Sequence, residues 1–136
     1  MSQQPERLRQ HPDERFQSRQ HQIDLAEVAA QLAAEPLTGT RIHRQETIYR
    51  HGPVTVALFL FDAGARMVEH AAEGVVTVHV LEGRLKMSVE AQTHDLGAGQ
   101  MLLMAPGVKH DVYAERPTRM LLTVCLEVSK IDPSLE

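Results

Sequence analysis

From residue 40 onward the chain is a series of short apolar runs separated by glycine or proline, and this pattern restricts the fold more than any other feature. The runs are rich in valine and leucine, often alternate with polar residues, and are typical of β-strands. They read TVALFLF, VVTVHVL, LKMSV, QMLLM, HDVYA and RMLLTVCLEV, with HGP, DAG, LEG, LGAG and APG between them. Because the intervals are too short for helical crossovers, the strands must pair mostly antiparallel. The sequence predicts an all-β sandwich or barrel.

The N-terminal part of the chain has a different composition. Residues 1–22 contain many charges and glutamines and almost no large apolar side chains, which predicts a flexible tail. In the segment DLAEVAAQLAAEPLTG that follows, Asp24 is a plausible N-cap and Glu27 stands three residues later, as in a capping box. We therefore expect one short helix over residues 25–34, as the first element of a single domain that spans residues 23–136.

Composition restricts the partners and the compartment. A chain of 136 residues with 43% hydrophobic content suffices for one domain with a sizeable core. Its formal net charge of -4 offers no basic field to attract nucleic acid. No apolar run reaches the roughly 18 residues of a membrane span, and the polar N-terminus lacks the apolar region of a signal peptide. A single cysteine, Cys125, forms no internal disulfide. We expect a cytoplasmic protein that binds neither nucleic acid nor membranes.

Two spaced motifs within the strand region resemble those of the cupin superfamily. Gly64 and His70, with five residues between them, begin a stretch similar to the first cupin motif, which continues with a second histidine, a glutamate and a glycine. The stretch GQMLLMAPGVKHDVYA is similar to the second motif, which contains a proline, a glycine, a histidine and an asparagine. The resemblance covers about residues 62–114. It implies an antiparallel jelly-roll barrel.

The resemblance assigns metal ligands to four positions, and only two of them carry a ligand in this chain. His70 and His110 match the first and the last ligand, whereas Ala72 stands at the second histidine position and Val76 at the glutamate position. The proline and asparagine positions of the second motif hold alanines. A protein site for a divalent ion usually offers at least three ligands. We therefore expect no tightly held metal cofactor, and at most a weakly bound Mn, Fe, Ni or Zn ion at His70 and His110.

Two nearby residues are the candidates to replace the missing ligands. Alternation along the strand turns Val76 inward and His79 outward, so His79 reaches the site only if a bulge reverses the alternation. Glu73 lies in AAEG, which we read as a turn, where a carboxylate is usually solvated. Either residue would make the site that of a metalloenzyme.

Alternation also predicts which residues share a pocket. Arg66, Val68 and His70 fall on one face of their strand, and His110 begins another strand. A pocket with one arginine, two histidines and aliphatic walls would suit a small anionic or polar organic ligand. We therefore predict Arg66, His70 and His110 as ligand-binding residues.

Three functions fit this set of residues. The favoured one is a metal-poor cupin that binds a small molecule, with no catalytic residue assigned. The alternatives are a metal-dependent, oxygenase-like enzyme with non-standard ligands, and a metal-independent isomerase or epimerase with a histidine as general base. The edge strands of a small jelly roll, a helix able to cover one of them and an apolar last strand also predict a homodimer.

Overall fold

The computed structural model describes residues 9–37 and 43–127, which form two β-sheets preceded by two helices. The helices are α1 (Pro12–Arg15) and α2 (Leu25–Ala33). The strands are β1 (His43–His51), β2 (Val54–Phe61), β3 (Arg66–His70), β4 (Gly74–Glu82), β5 (Arg84–Val89), β6 (Gln92–Gly97), β7 (Met101–Met104), β8 (His110–Ala114) and β9 (Thr118–Leu126). Neither helix of this described part is long and apolar enough to cross a membrane.

The order of the strands is that of a jelly roll. One sheet has the order β1-β2-β9-β4-β7 and the other β3-β8-β5-β6, and all strand pairs are antiparallel. The inner faces of the two sheets form one apolar cluster, in which Phe59 and Val78 of one sheet join Leu85, Met87 and Val112 of the other. The predicted all-β, antiparallel jelly-roll fold is therefore confirmed.

The alternation of β4 determines which side chains enter this core. Val76, Val78 and Val80 are at most 4% exposed, whereas the intervening Thr77 and His79 are only partly buried. Every second side chain of a strand points to the same face, and each buried valine stabilises the fold by about 1.5–3 kcal/mol relative to an exposed one. The predicted inward direction of Val76 is confirmed.

Helix α2 forms where the sequence predicts it, and it ends one residue earlier, at Ala33. The side chain of Asp24 caps it by accepting hydrogen bonds from the backbone N–H groups of Ala26 at 3.0 Å and Glu27 at 3.2 Å. Its buried face forms a second apolar cluster with β1 and β2 on the outer side of the five-stranded sheet; the buried members are Ala29, Leu32, Ile48 and Leu58. The helix thus covers part of a sheet face and not a free edge.

The segment before α2 lies against β1. Phe16, which is 8% exposed, contacts the ring of Tyr49 with the two ring centroids 5.7 Å apart. Arg15 donates a hydrogen bond to the backbone carbonyl of Thr47 at 2.9 Å. These contacts join a polar segment to the domain through one buried aromatic ring and one charged group.

The sequence predicts that residues 1–22 are flexible, and residues 1–8 lie outside the described structure. The flexibility stays a prediction, which a Phe16 variant tests. We expect Phe16→Ala to lower the melting temperature by about 10 °C, because it removes a buried ring, and Phe16→Leu to lower it less. Calorimetry and limited proteolysis of the full chain measure both effects. An unchanged melting temperature, with first cleavage inside this segment, would instead establish the flexible tail.

Candidate functional site

The last residue of β3 and the first residue of β8 are histidines, and antiparallel pairing places them opposite each other. His70 and His110 are cross-strand partners, with ring centroids 4.1 Å apart and ring planes inclined by 63°. The turn that precedes β8 contains Gly107 at a φ of 80°, a conformation that favours glycine. The structure thus brings together two of the three residues that the sequence predicts for the ligand site.

A backbone carbonyl two residues earlier in the chain holds each ring. Nδ1 of His70 lies 2.9 Å from the carbonyl oxygen of Val68, and Nδ1 of His110 lies 3.1 Å from that of Val108. Because a carbonyl oxygen only accepts hydrogen bonds, Nδ1 carries the proton and donates it in both rings. In a neutral imidazole the other nitrogen, Nε2, then has a free lone pair. The pair therefore offers two Nε2 acceptors.

The two rings differ in their exposure to solvent. His110 is only 4% exposed, whereas His70 is an exposed residue. Burial is the main cause that lowers the pKa of His110 below its ordinary value, the hydrogen bond to Val108 opposes this effect, and the nearby His70 lowers the pKa further. The lowered pKa favours the neutral form of His110 at neutral pH, in which Nε2 carries a lone pair.

The lowered pKa of His110 predicts a loss of stability in mild acid. The unfolded chain binds a proton at this residue near pH 6.5, about the ordinary pKa of histidine, whereas the folded chain binds it only at lower pH. The free energy of unfolding should therefore fall as the pH drops below this value, until the folded-state pKa is reached. Urea unfolding of the wild type and of His110→Gln measures the difference. Equal slopes against pH in the two proteins would contradict this assignment.

Arg66 does not join the histidine pair. The register of β3 against β8 shifts between Met67 and His70, and Arg66 pairs with Tyr113. Its guanidinium carbon lies 4.9 Å from the centroid of the Tyr113 ring. Tyr113 is on the face of β8 opposite to His110, because alternate residues of this strand are buried. The prediction that Arg66 shares the face of His70 is wrong, since the shift in register interrupts the alternation on which it rests.

Core residues occupy the two positions where the sequence motif would carry further ligands. Val76 is a buried member of the main apolar cluster, and Ala72 packs against that cluster. Among the residues that the structure describes, no group of three His, Cys, Asp or Glu side chains could hold a metal ion. Two imidazoles alone leave most of the coordination sphere of an ion to water. The described residues therefore do not fit a resident metal ion.

The two candidate replacements do not change this result. His79 pairs with Met101 and lies on the outer face of β4, since the alternation of this strand buries Val78 and Val80. Glu73 is exposed. The alternation of β4 turns His79 away from the inner face, and Glu73 lies before this strand.

Two clefts of the described structure are lined by residues other than His70 and His110. A cleft of about 410 Å³ is lined by residues 106–109 together with Ser88, Glu90 and Asp111. A cleft of about 640 Å³ contains Arg116 and other charged side chains near the β8–β9 connection.

Sequence reasoning did not single out Asp111, which follows His110 directly. Its buried Oδ1 has no hydrogen-bond partner, and no local sequence pattern indicates this.

Both the sequence and the fold of this chain are similar to those of known proteins. Residues 57–125, just over half of the 136 residues, match the family model for the Cupin domain. Comparison of the sequence with curated proteins gives no match.

Solved structures with the same fold share few residues with this chain. A protein of unknown function from Rhizobium leguminosarum is 19% identical with a TM-score of 0.66, over 81% of this chain and 100% of that one. A cupin superfamily protein from Desulfitobacterium hafniense is 17% identical with a TM-score of 0.62, over 71% of this chain and 87% of that one. KdgF from Halomonas sp. is 14% identical with a TM-score of 0.61, over 73% and 94% respectively. These likenesses establish the fold alone.

Proposed function

This chain belongs to the cupin domain family, and we propose that it binds a small molecule through the Nε2 atoms of His70 and His110. The observation that carries the proposal is the pairing of the two rings, 4.1 Å apart between centroids, with both Nδ1 atoms bonded to backbone carbonyls. Side chains that are already fixed lose little conformational freedom when a ligand binds. The pair is thus arranged for binding before any ligand arrives.

The chemistry of the pair selects the class of ligand. An unprotonated Nε2 of a neutral imidazole accepts a hydrogen bond and does not donate one, so the ligand must bring a hydrogen-bond donor such as a hydroxyl or an ammonium group. Arg66, which we expected to supply a positive charge, stacks over Tyr113 instead. We therefore narrow the predicted anionic or polar ligand to an uncharged or cationic molecule with hydrogen-bond donors. The partly buried Ala72 and Val108, which pack against the core, support apolar contacts beside the rings.

We further propose that the protein works without a tightly held metal ion and in the cytoplasm. The support for the first point is that Ala72 and Val76 bring no donor atom to the two imidazoles. The support for the second is the free thiol of Cys125, which is compatible with a reducing compartment.

A titration with hydroxyl-bearing and ammonium-bearing probes tests the ligand site. We expect at least one of xylose, glycerol and ethanolamine to shift the ring proton resonances of both His70 and His110. Replacing either histidine with alanine should weaken that binding about tenfold, because one hydrogen bond to the ligand is lost. Nuclear magnetic resonance of the full chain measures both the shifts and the affinity.

His79→Ala is the matched control for this titration, because His79 lies in the same fold but on the outer face of β4. It should leave probe binding unchanged. Binding that survives both His70→Ala and His110→Ala, or that His79→Ala abolishes, would place the ligand site elsewhere and overturn the proposal.

A double substitution tests why the site is poor in metal. Ala72→His with Val76→Glu restores the two ligands that the motif lacks. Without metal the new glutamate is buried unpaired, so the variant should be less stable than the wild type by several kcal/mol. Adding Mn²⁺ or Zn²⁺ should recover its melting temperature, whereas the wild type should respond little. Val76→Glu alone serves as the control for the buried carboxylate.

Metal analysis of the wild type after dialysis against a mild chelator separates this proposal from the metal-dependent enzyme. We expect far less than one ion per chain. An equimolar ion that His70→Ala removes would show that another residue completes the site, and the oxygenase-like alternative would then be the better one. One observation favours that alternative, since metal-bound histidines commonly donate their second ring N–H to a backbone carbonyl.

The isomerase or epimerase alternative rests on the neutral state of His110. A neutral Nε2 can take a proton from a carbon acid and return it, which is what a general base of such an enzyme must do. Exchange of carbon-bound hydrogen for deuterium in bound xylose, lost in His110→Gln, would identify this activity.

A further inference from the structure

The cleft of about 640 Å³ lies beyond the end of β8 opposite to His110, and three arginines line it. Arg44 belongs to β1, Arg116 to the β8–β9 connection and Arg119 to β9. We call it the arginine cleft. The whole chain has a net charge of -4, so three guanidinium groups in one cleft run against its overall charge. A concave site with this lining attracts anions.

Two of the three arginines have carboxylate partners in the same cleft. Nη1 of Arg44 lies 3.8 Å from Oδ1 of Asp62, and its Nε donates to the carbonyl of Glu35 at 2.6 Å. Nε of Arg119 lies 3.2 Å from Oε2 of Glu82. Both carboxylate side chains are more than half exposed, so water screens these ion pairs. The two pairs neutralise each other's charges and leave one arginine over.

Arg116 is the arginine left over, and its backbone is fixed. Within residues 9–37 and 43–127 its guanidinium has no ion-pair or hydrogen-bond partner. The buried hydroxyl of Thr118 donates to the carbonyl of Arg116 at 2.8 Å and accepts from the N–H of Arg84 at 3.0 Å. Gly83, with a φ of 95°, packs so closely that an added Cβ would overlap the carbonyl oxygen of Pro117. A well-ordered connection therefore presents an unpaired positive group.

The size and the remaining lining of the arginine cleft indicate an organic ligand. Its volume of about 640 Å³ is within the range of roughly 300–1,000 Å³ that is typical of small-molecule sites. A phosphate or carboxylate group alone would occupy only a small part of it. Apolar side chains complete the lining; they include Ala33, Leu60, Ala98 and Pro117. The cleft thus offers contacts to a charged group and to an apolar one.

We propose that the arginine cleft is a second binding site of this protein, for a small organic anion with a carboxylate or phosphate group. The anionic group binds Arg116, because a guanidinium forms paired hydrogen bonds with either oxyanion. Arg44 and Arg119 add to the positive field, and the apolar part of the ligand contacts Leu60 and Pro117. The histidine pair selects uncharged or cationic ligands, so the two sites take different molecules.

Benzoate and phenyl phosphate, titrated into the full chain at low ionic strength, test this site. At least one of them should bind with a dissociation constant of about 1 mM and shift the backbone amide resonances of Arg116 and Thr118. The ring resonances of His70 and His110, at the other end of β8, should not shift. Benzamide has the same ring and no charge, so it should not bind at about 10 mM. The two anions together distinguish a carboxylate site from a phosphate site.

Three variants separate the arginine cleft from general attraction of anions. Arg116→Gln should weaken anion binding at least about tenfold, because it removes the charged hydrogen bonds to the ligand, and Arg116→Lys should weaken it less. Arg116 is exposed, so both variants should fold, which circular dichroism checks. Arg50→Gln is the matched control, since Arg50 lies near the end of β1 remote from Arg44 and does not line the cleft. It should leave binding unchanged.

Three results would overturn the proposal. The first is that neither anion binds at about 10 mM. The second is binding that Arg116→Gln leaves intact or that Arg50→Gln weakens as much. The third is that benzamide binds as tightly as the anions, since the guanidinium would then contribute nothing.

Discussion

The packing of the two inner sheet faces against each other determines where polar chemistry can occur in this protein. Valines of β4 and apolar residues of β5 and β8 fill the space between the sheets in one continuous cluster. A buried polar group in such a space costs free energy unless it finds a partner. The histidine pair therefore lies where β3 ends and β8 begins. There His110 is buried against the core while His70 is exposed.

Val76 stands at the position where the resembling motif carries a glutamate. Its side chain joins the core, and a buried valine contributes about 1.5–3 kcal/mol of stability relative to an exposed one. A carboxylate at this position would need a metal ion or another cation to compensate its burial. With Ala72 and Val76 at these positions, two imidazoles remain of the four ligands of the motif, and both keep their backbone hydrogen bonds. Function in this chain thus depends on the site and not on the fold.

Local sequence patterns predicted the parts of the structure that local physics controls. The strands and the helix capped by Asp24 follow from alternation, glycine positions and capping. The pairing of His70 with His110 agrees with the spacing of the two motifs. Arg66 was placed on the wrong face because the shift in register within β3 has no signature in the sequence. The contact of Phe16 with Tyr49 was missed because it joins residues far apart in the chain.

The protonation of the two histidine rings tests the central claim most directly. The backbone carbonyls of Val68 and Val108 can only accept a hydrogen bond from Nδ1. The neutral form of each ring must therefore carry its proton on Nδ1 and leave Nε2 unprotonated. Long-range proton–nitrogen correlation spectra of the ring nitrogens distinguish the two tautomers and the imidazolium. We predict the Nδ1–H tautomer for His70 and His110 in the wild type. An Nε2–H tautomer at both residues, or a charged His110 at neutral pH, would contradict the proposed binding site.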